Sequence, residues 1–115
     1  MSTIRNRVTL IGYLGMVPEF KELENSKISK FSLATSETYH NDKKEKVTKT
    51  EWHQIQCWGK LAEICRDYLK KGSQVCIEGS IHYRSYENKE GIKVYVTEIK
   101  ASEVVLLSSN EKGKE

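Results

Sequence analysis

Long apolar runs are missing from this sequence, and nothing in it approaches the roughly 18–20 residues that carry a helix across a bilayer. No membrane partner is therefore expected. Met1-Ser2-Thr3-Ile4-Arg5 lacks the apolar stretch of a secretory signal. Cysteine is scarce: Cys57, Cys65 and Cys76 are odd in number and form no CxxC or Cys/His pattern. That spacing supports neither a disulfide framework nor a zinc site, and it fits reduced thiols in a cytoplasmic protein. Catalytic signatures are missing as well. There is no G-x-x-x-x-G-K-[ST] phosphate loop, no G-x-S-x-G elbow and no H-E-x-x-H. His40, His53 and His82 lie far apart, and the acidic residues do not gather into a metal-binding set. The expectation is a protein with no catalytic residue, no metal and no cofactor. Repeats, Gly/Ser linkers and low-complexity blocks are absent too, and Pro18 is the single proline.

What remains is 115 residues, enough for one domain and too few for two. A hydrophobic share of 37% with ten aromatics can still build a small core, so the chain does not read as disordered. Nineteen basic against sixteen acidic residues give a net charge of +3. That permits a polyanionic partner without demanding one.

Alternation dominates the chain. Residues 6–14 read as a strand, with Val8 and Leu10 on one face and Thr9, Ile11 and Tyr13 on the other. Gly12 and Gly15 then mark a bulge or bend. A short strand over 20–23 and a turn over 24–27 lead into a long strand over 28–39, where Phe31, Leu33 and Thr35 share a face. Residues 40–49 read as a polar hairpin tip, in which Lys43, Lys44, Lys46 and Lys49 outnumber Asp42 and Glu45. One helix follows, because Leu61, Ile64, Cys65, Tyr68 and Leu69 fall at helical spacing. Lys70 and Lys71 suit its last turn, and Gly72 suits its stop. Strands are expected again over 74–79, 80–86, 92–99 and 104–107, with a hairpin turn at 87–91. A helix interrupting a Greek-key set of strands is the layout of an all-β OB-fold, a five-stranded barrel with one α-helix and extended hairpins.

The strand over 51–58 carries the functional signal. Trp52, Gln54, Gln56 and Trp58 alternate with Ile55 and Cys57. Glutamines are rarely buried unpaired, so Ile55 and Cys57 form the core face and both tryptophans turn outward. Tyr39 and Tyr86 also sit among polar neighbours, Tyr86 sharing a face with His82 and Arg84. A small barrel also uses aromatics as core, which is the competing reading of each. Exposed aromatics offer sequence-tolerant stacking to nucleic-acid bases, worth about 1–3 kcal/mol per base. Lys43, Lys49, Lys60, Lys71 and Arg84 supply charge that can follow a phosphate backbone, or simply a solvated surface.

Several blocks carry a family resemblance. Val8-Thr9-Leu10-Ile11-Gly12-Tyr13-Leu14-Gly15, Phe31-Ser32-Leu33-Ala34-Thr35-Ser36-Glu37 and Thr50-Glu51-Trp52-His53 come first. Trp58-Gly59-Lys60-Leu61-Ala62-Glu63, then Tyr68-Leu69-Lys70-Lys71-Gly72-Ser73-Gln74-Val75 and Ile77-Glu78-Gly79, follow. In this order and spacing, over about residues 5–107, the sequence resembles the bacterial and mitochondrial single-stranded DNA-binding proteins. The resemblance implies an OB-fold homotetramer that wraps single-stranded DNA in replication, recombination and repair. It implies base stacking at Tyr39, Trp52, Trp58 and Tyr86, and phosphate contacts at Lys60 and Lys71, with Arg84 at a basic position of the hairpin. It also places His53 at a subunit contact. The nearest alternative is a dimeric primosomal adaptor similar to primosomal replication protein N.

The expected organisation is an OB domain over 1–107 and a short flexible tail over 108–115. Family members usually continue into a tail with an acidic tip and a terminal Phe, through which replication and repair proteins dock. Residues 108–115 carry two lysines against two glutamates and no aromatic, so that docking is not expected of them. The sequence also lacks the clustered acidic residues of an OB-fold nuclease. Incubated with single-stranded DNA and Mg²⁺, the protein is expected to leave the strand intact on a denaturing gel.

Overall fold

The structure, a computed structural model, describes residues 5–107. The alternating segments form six strands, β1 (Val8–Leu14), β2 (Glu19–Glu22), β3 (Lys27–His40), β4 (Lys46–Trp58), β5 (Gln74–Glu87) and β6 (Lys93–Leu106). The helix α1 (Lys60–Tyr68) lies between β4 and β5. Neighbouring strands run in the order β1-β5-β6-β4-β3-β2, and β1 also pairs with β3. That second pairing closes β1, β5, β6, β4 and β3 into a barrel and leaves β2 as an edge, the OB-fold expected from the sequence.

Closure depends on β1 changing partners. Val8 to Tyr13 pair with β5, while Tyr13 and Leu14 pair with Ala34 and Leu33 of β3. At the crossing point Gly12 is buried, and a Cβ there would stand 2.1 Å from the Ala34 carbonyl oxygen. The backbones meet so closely that only glycine fits. The end of β1 is held by the turn that leads into β5. Leu14 N–H donates to Ser73 O and Gly72 N–H donates to Leu14 O, both at 2.9 Å. Gly72 has φ +90°, a left-handed conformation that this turn requires.

Inward positions of the alternation build the core. Leu14, Phe31, Leu33, Ile55, Cys57, Val75, Ile77 and Ile99 are buried in one cluster, which Cys65 and Leu69 of the helix segment complete. Ser29 is also buried, and its hydroxyl donates to Ala62 O at 2.7 Å, pinning α1 to β3. Cys57 and Cys65 are free thiols with their sulfurs 3.5 Å apart across the same contact. No helix among the described residues is long and apolar enough to cross a membrane.

Several boundaries differ from the sequence reading, each for a local reason. The tip expected over 40–49 shrinks, because β3 and β4 stay paired out to His40 and Lys46. Asn41 closes the short connection by accepting the N–H groups of Lys43 and Glu45 on Oδ1. The segments expected over 74–79 and 80–86 are one strand, as are those over 92–99 and 104–107. A register shift at Glu78/Gly79 lets β6 remain continuous, since Ser102 is extra and its hydroxyl caps Glu78 O at 3.0 Å. The helix also turns differently. Ala62 and Cys65 face the barrel, whereas Ile64 and Tyr68 are exposed. It ends at Tyr68, so Lys70 and Lys71 lie beyond it and Gly72 serves the next turn rather than the helix cap. The tail expected over 108–115 lies outside the described residues.

Beyond the barrel, the β3–β4 and β5–β6 ladders run on as two arms. Residues 36–40 of β3 and 82–87 of β5 are exposed on both faces. A clash with main chain at a closure point cannot be relieved by a rotamer change. Gly12→Ala is therefore expected to destabilise the domain by about 2–4 kcal/mol in denaturant unfolding, and Ser85→Ala on the β5–β6 arm by less than about 0.5 kcal/mol.

Candidate nucleic-acid interface

The even-numbered residues of β4 point away from the core, which puts Trp52 and Trp58 on one outer surface, 59% and 37% exposed. Trp58 is the more covered because it stands opposite Ile28, which is buried on that same outer surface. Trp52 owes its position to a glycine. A Cβ at Gly15 would lie 2.4 Å from the Trp52 ring, so the bare backbone after β1 leaves the space the indole fills.

Register extends this surface across three further strands. Gln54 opposes Ser32, and Gln56 opposes both Lys30 of β3 and Lys100 of β6. Through Lys100 the parity passes to Glu98, Val96 and Val94 of β6, which oppose His82, Arg84 and Tyr86 of β5. Tyr86 is thus 48% exposed on the same surface as both tryptophans. One continuous face carries three aromatics, two glutamines and three basic side chains.

Glu98 lies in the middle of it. Its side chain is only 12% exposed, and both oxygens accept from Arg84, at 3.0 Å from Nε and 3.1 Å from an Nη. The Arg84 guanidinium holds the carboxyl below the usual carboxylate range, with help from a Gln56 hydrogen bond and the Lys30 charge. The arginine is raised in turn, chiefly by its hydrogen bond to Glu98. Arg84 also sits 5.9 Å from the centre of the Tyr86 ring.

The remaining sequence candidates fall elsewhere. Tyr39 is 49% exposed, but it opposes Val47 and has the parity of Phe31 and Leu33. It therefore occupies the other surface of the β3–β4 arm. Lys49 shares that second surface and pairs with Glu51 at 3.4 Å. Lys43 is at the arm's tip, and Lys71 is exposed in the turn before β5. Lys60 opens α1 beside a hollow of about 440 Å³, shared with Glu22, Glu24 and Glu63, where Lys27 and Glu63 form an ion pair. His53 is half-buried at the inner parity of β4, with its Nε2 2.9 Å from the Thr35 hydroxyl.

Four residues of the shared face escaped the sequence reading. Lys30 was legible there, because it alternates with Phe31. Lys100 falls in the apparent break of β6, Glu98 lies within the expected strand over 92–99 with nothing there to mark it, and Gln56 signals only exposure. Tyr83 and Tyr95, 76% and 75% exposed, occupy the opposite surface of the β5–β6 arm as diagonal neighbours. Among the described residues no group of three or more His, Cys, Asp or Glu is arranged to hold a metal ion.

Comparison with known proteins accounts for nearly the whole chain. The model of the "Single-strand binding protein family" matches residues 5–107. A single-stranded DNA-binding protein 1 of Chlorobaculum tepidum is 46% identical over 110 residues, 94% of this chain and 68% of that protein. A single-stranded DNA-binding protein of Neisseria meningitidis is 43% identical over 109 residues, again 94% of this chain and 63% of the relative. The chain thus spans about two thirds of the length of the curated relatives it matches. Among solved structures, Plasmodium falciparum SSB in complex with ssDNA superposes with a TM-score of 0.85 at 30% identity, covering 94% of this chain and 99% of that one. A deletion mutant of the Thermus aquaticus protein shares the fold, with a TM-score of 0.78 at 24% identity, covering 92% of this chain and 52% of that one. With its fold, its motifs and 103 matched positions in agreement, the chain belongs to the single-strand binding protein family.

Proposed function

We propose that this protein binds single-stranded DNA with little sequence preference and without chemistry of its own, in replication, recombination and repair. The observation that carries this reading is the outer face itself, with Trp52, Trp58 and Tyr86 exposed beside Lys30, Lys100 and Arg84. Every base has a π-face and every linkage a phosphate, so stacking and charge suffice for sequence-tolerant binding. Duplex DNA hides its bases and offers these aromatics nothing to stack on. The relatives named as single-stranded DNA-binding proteins, and the solved complex with ssDNA, support the same reading.

Tyr39, with Lys43 and Lys49, provides a second contact surface on the β3–β4 arm, which a strand reaches by passing around its edge. Lys60 and Lys71 add phosphate contacts at the helix end of the barrel. Four copies of such a surface hold one long strand at several points and raise the effective concentration for each later contact. A homotetramer fits this use, with His53 near a subunit contact. The exposed Ile11 and Tyr13 on the outside of β1 supply apolar area for association. The working location is the cytoplasm, on the nucleoid. Residues 1–107 act as the binding domain, and residues 108–115 as a tail that does not contribute to affinity.

Oligo(dT) is expected to quench the tryptophan emission strongly, and a duplex of equal length much less. Unchanged emission at saturating oligonucleotide would remove the stacking assignment. Trp52→Ala and Trp58→Ala should each weaken binding by about 1–3 kcal/mol while the domain stays folded. Gly15→Ala should displace the Trp52 indole, shift its emission and weaken binding in the same direction.

Binding should fall steeply with salt, with a log–log slope of about −0.7 per neutralised phosphate. Lys60→Ala and Lys71→Ala are expected to flatten that slope, with equal losses on homopolymer and mixed sequences. Sedimentation of the native protein should give four times the 13.3 kDa chain mass, and half of that would favour the dimeric alternative.

A further inference from the structure

Two of the stacking aromatics are joined through side chains, although they stand on different strands. The indole Nε1–H of Trp58 donates to Gln56 Oε1 at 3.3 Å. Gln56 pairs with Lys100 across β4 and β6, which puts its amide on the same face as Glu98 two residues along, and its N–H helps hold the Glu98 carboxyl in the ionised form. That carboxylate also accepts both arms of the Arg84 guanidinium, and Arg84 lies over the Tyr86 ring. The chain therefore crosses from β4 through β6 to β5 and links Trp58 to Tyr86. Its hydrogen bonds all run toward one group. An indole and a guanidinium can only donate, and an ionised carboxylate can only accept, so Glu98 is where the chain ends from both sides.

We propose that Glu98 is a positioning residue of the DNA-binding face, fixing Trp58 through Gln56 and Arg84 directly, so that two stacking platforms are held ready together. The proposal rests on the reading of this face as the DNA site. An acidic side chain beneath a polyanion's path repels it and needs an explanation. Stability is a weak one, because Arg84 is half exposed and ion pairs at such sites contribute little. Orientation is a better one. Glu98 is nearly covered, so its charge is turned inward toward its two donors rather than outward toward a strand. Hydrogen bonds in such a network strengthen one another, so removing the shared acceptor loosens the groups bonded through it.

The two explanations differ in sign. If Glu98 were only a counter-charge, removing it would free Arg84 for phosphate and tighten binding. If it positions the platforms, removing it weakens binding even though a repulsive charge is lost. At fixed salt, Glu98→Ala and Glu98→Gln are each expected to bind oligo(dT) about three- to tenfold more weakly than the native protein. Unchanged or tighter binding overturns the proposal. Glu98→Gln keeps the side-chain shape but puts an NH2 donor where one of the two acceptor oxygens stood, so it cannot receive all the donors and carries the test if the alanine variant does not fold. A second readout needs no DNA. In ¹H–¹⁵N spectra of the free protein, the indole N–H resonance of Trp58 should move in Glu98→Gln while that of Trp52 stays in place. A motionless Trp58 resonance breaks the relay. If native protein ignores oligo(dT) altogether, the DNA-binding reading fails, and the indole resonance still decides whether Glu98 governs Trp58.

Discussion

Everything on the outer face depends on the crossing of β1 over the mouth of the sheet. A six-stranded sheet left open would twist Trp58 and Tyr86 away from each other, since neighbouring strands rotate by about 20–25°. Contact between β1 and both β5 and β3 pulls the two ends of the sheet together and fixes its curvature. That contact exists because Gly12 lets two backbones meet where any side chain would intrude. The turn at Gly72 and Ser73 then ties off the end of β1. The crossing lies directly beside one of the aromatics, because Ala34 pairs with Tyr13 of β1 on one side and with Trp52 of β4 on the other.

Much of the architecture was legible in the sequence because a half-buried strand writes its two faces alternately. Ile55 and Cys57 between Gln54, Gln56 and Trp58 could be read as inside and outside without any partner strand. Strand continuity could not. Gly79 and Ser102 look like interruptions in one dimension, yet in the ladder one is a close approach and the other a bulge that lets β6 run through. The helix misled for another reason. Leu61, Cys65 and Leu69 of the expected stripe do pack against the barrel, but Ala62 takes the place beside them and leaves Ile64 and Tyr68 outside.

The site was legible residue by residue and not as an arrangement. Alternation exposed Trp52, Trp58 and Tyr86 one at a time, while their common surface follows from the pairing of Gln56 with Lys100 across β4 and β6. The same parity puts Tyr39 on the opposite side of its arm, a placement that counting along β3 from Phe31 and Leu33 also gives. Glu98 is the clearest case of information held only in three dimensions. Its partners lie 14 and 42 positions away in the chain, Arg84 across the expected hairpin and Gln56 on a strand that the sequence does not mark as a neighbour of β6.

The arms carry a consequence of their own. Past Thr35 on β3 and Ile81 on β5 each ladder is a two-stranded ribbon with water on both sides, and such ribbons are marginally stable alone. Their amides should open in local excursions that leave the barrel intact, so hydrogen exchange should quicken along a single strand from Ile55 to Thr48. A ligand that lies across barrel and arm must quiet those excursions when it binds. Its association would then carry an unfavourable ordering entropy that a ligand confined to the barrel escapes, and short and long strands would differ in heat of binding as well as in affinity.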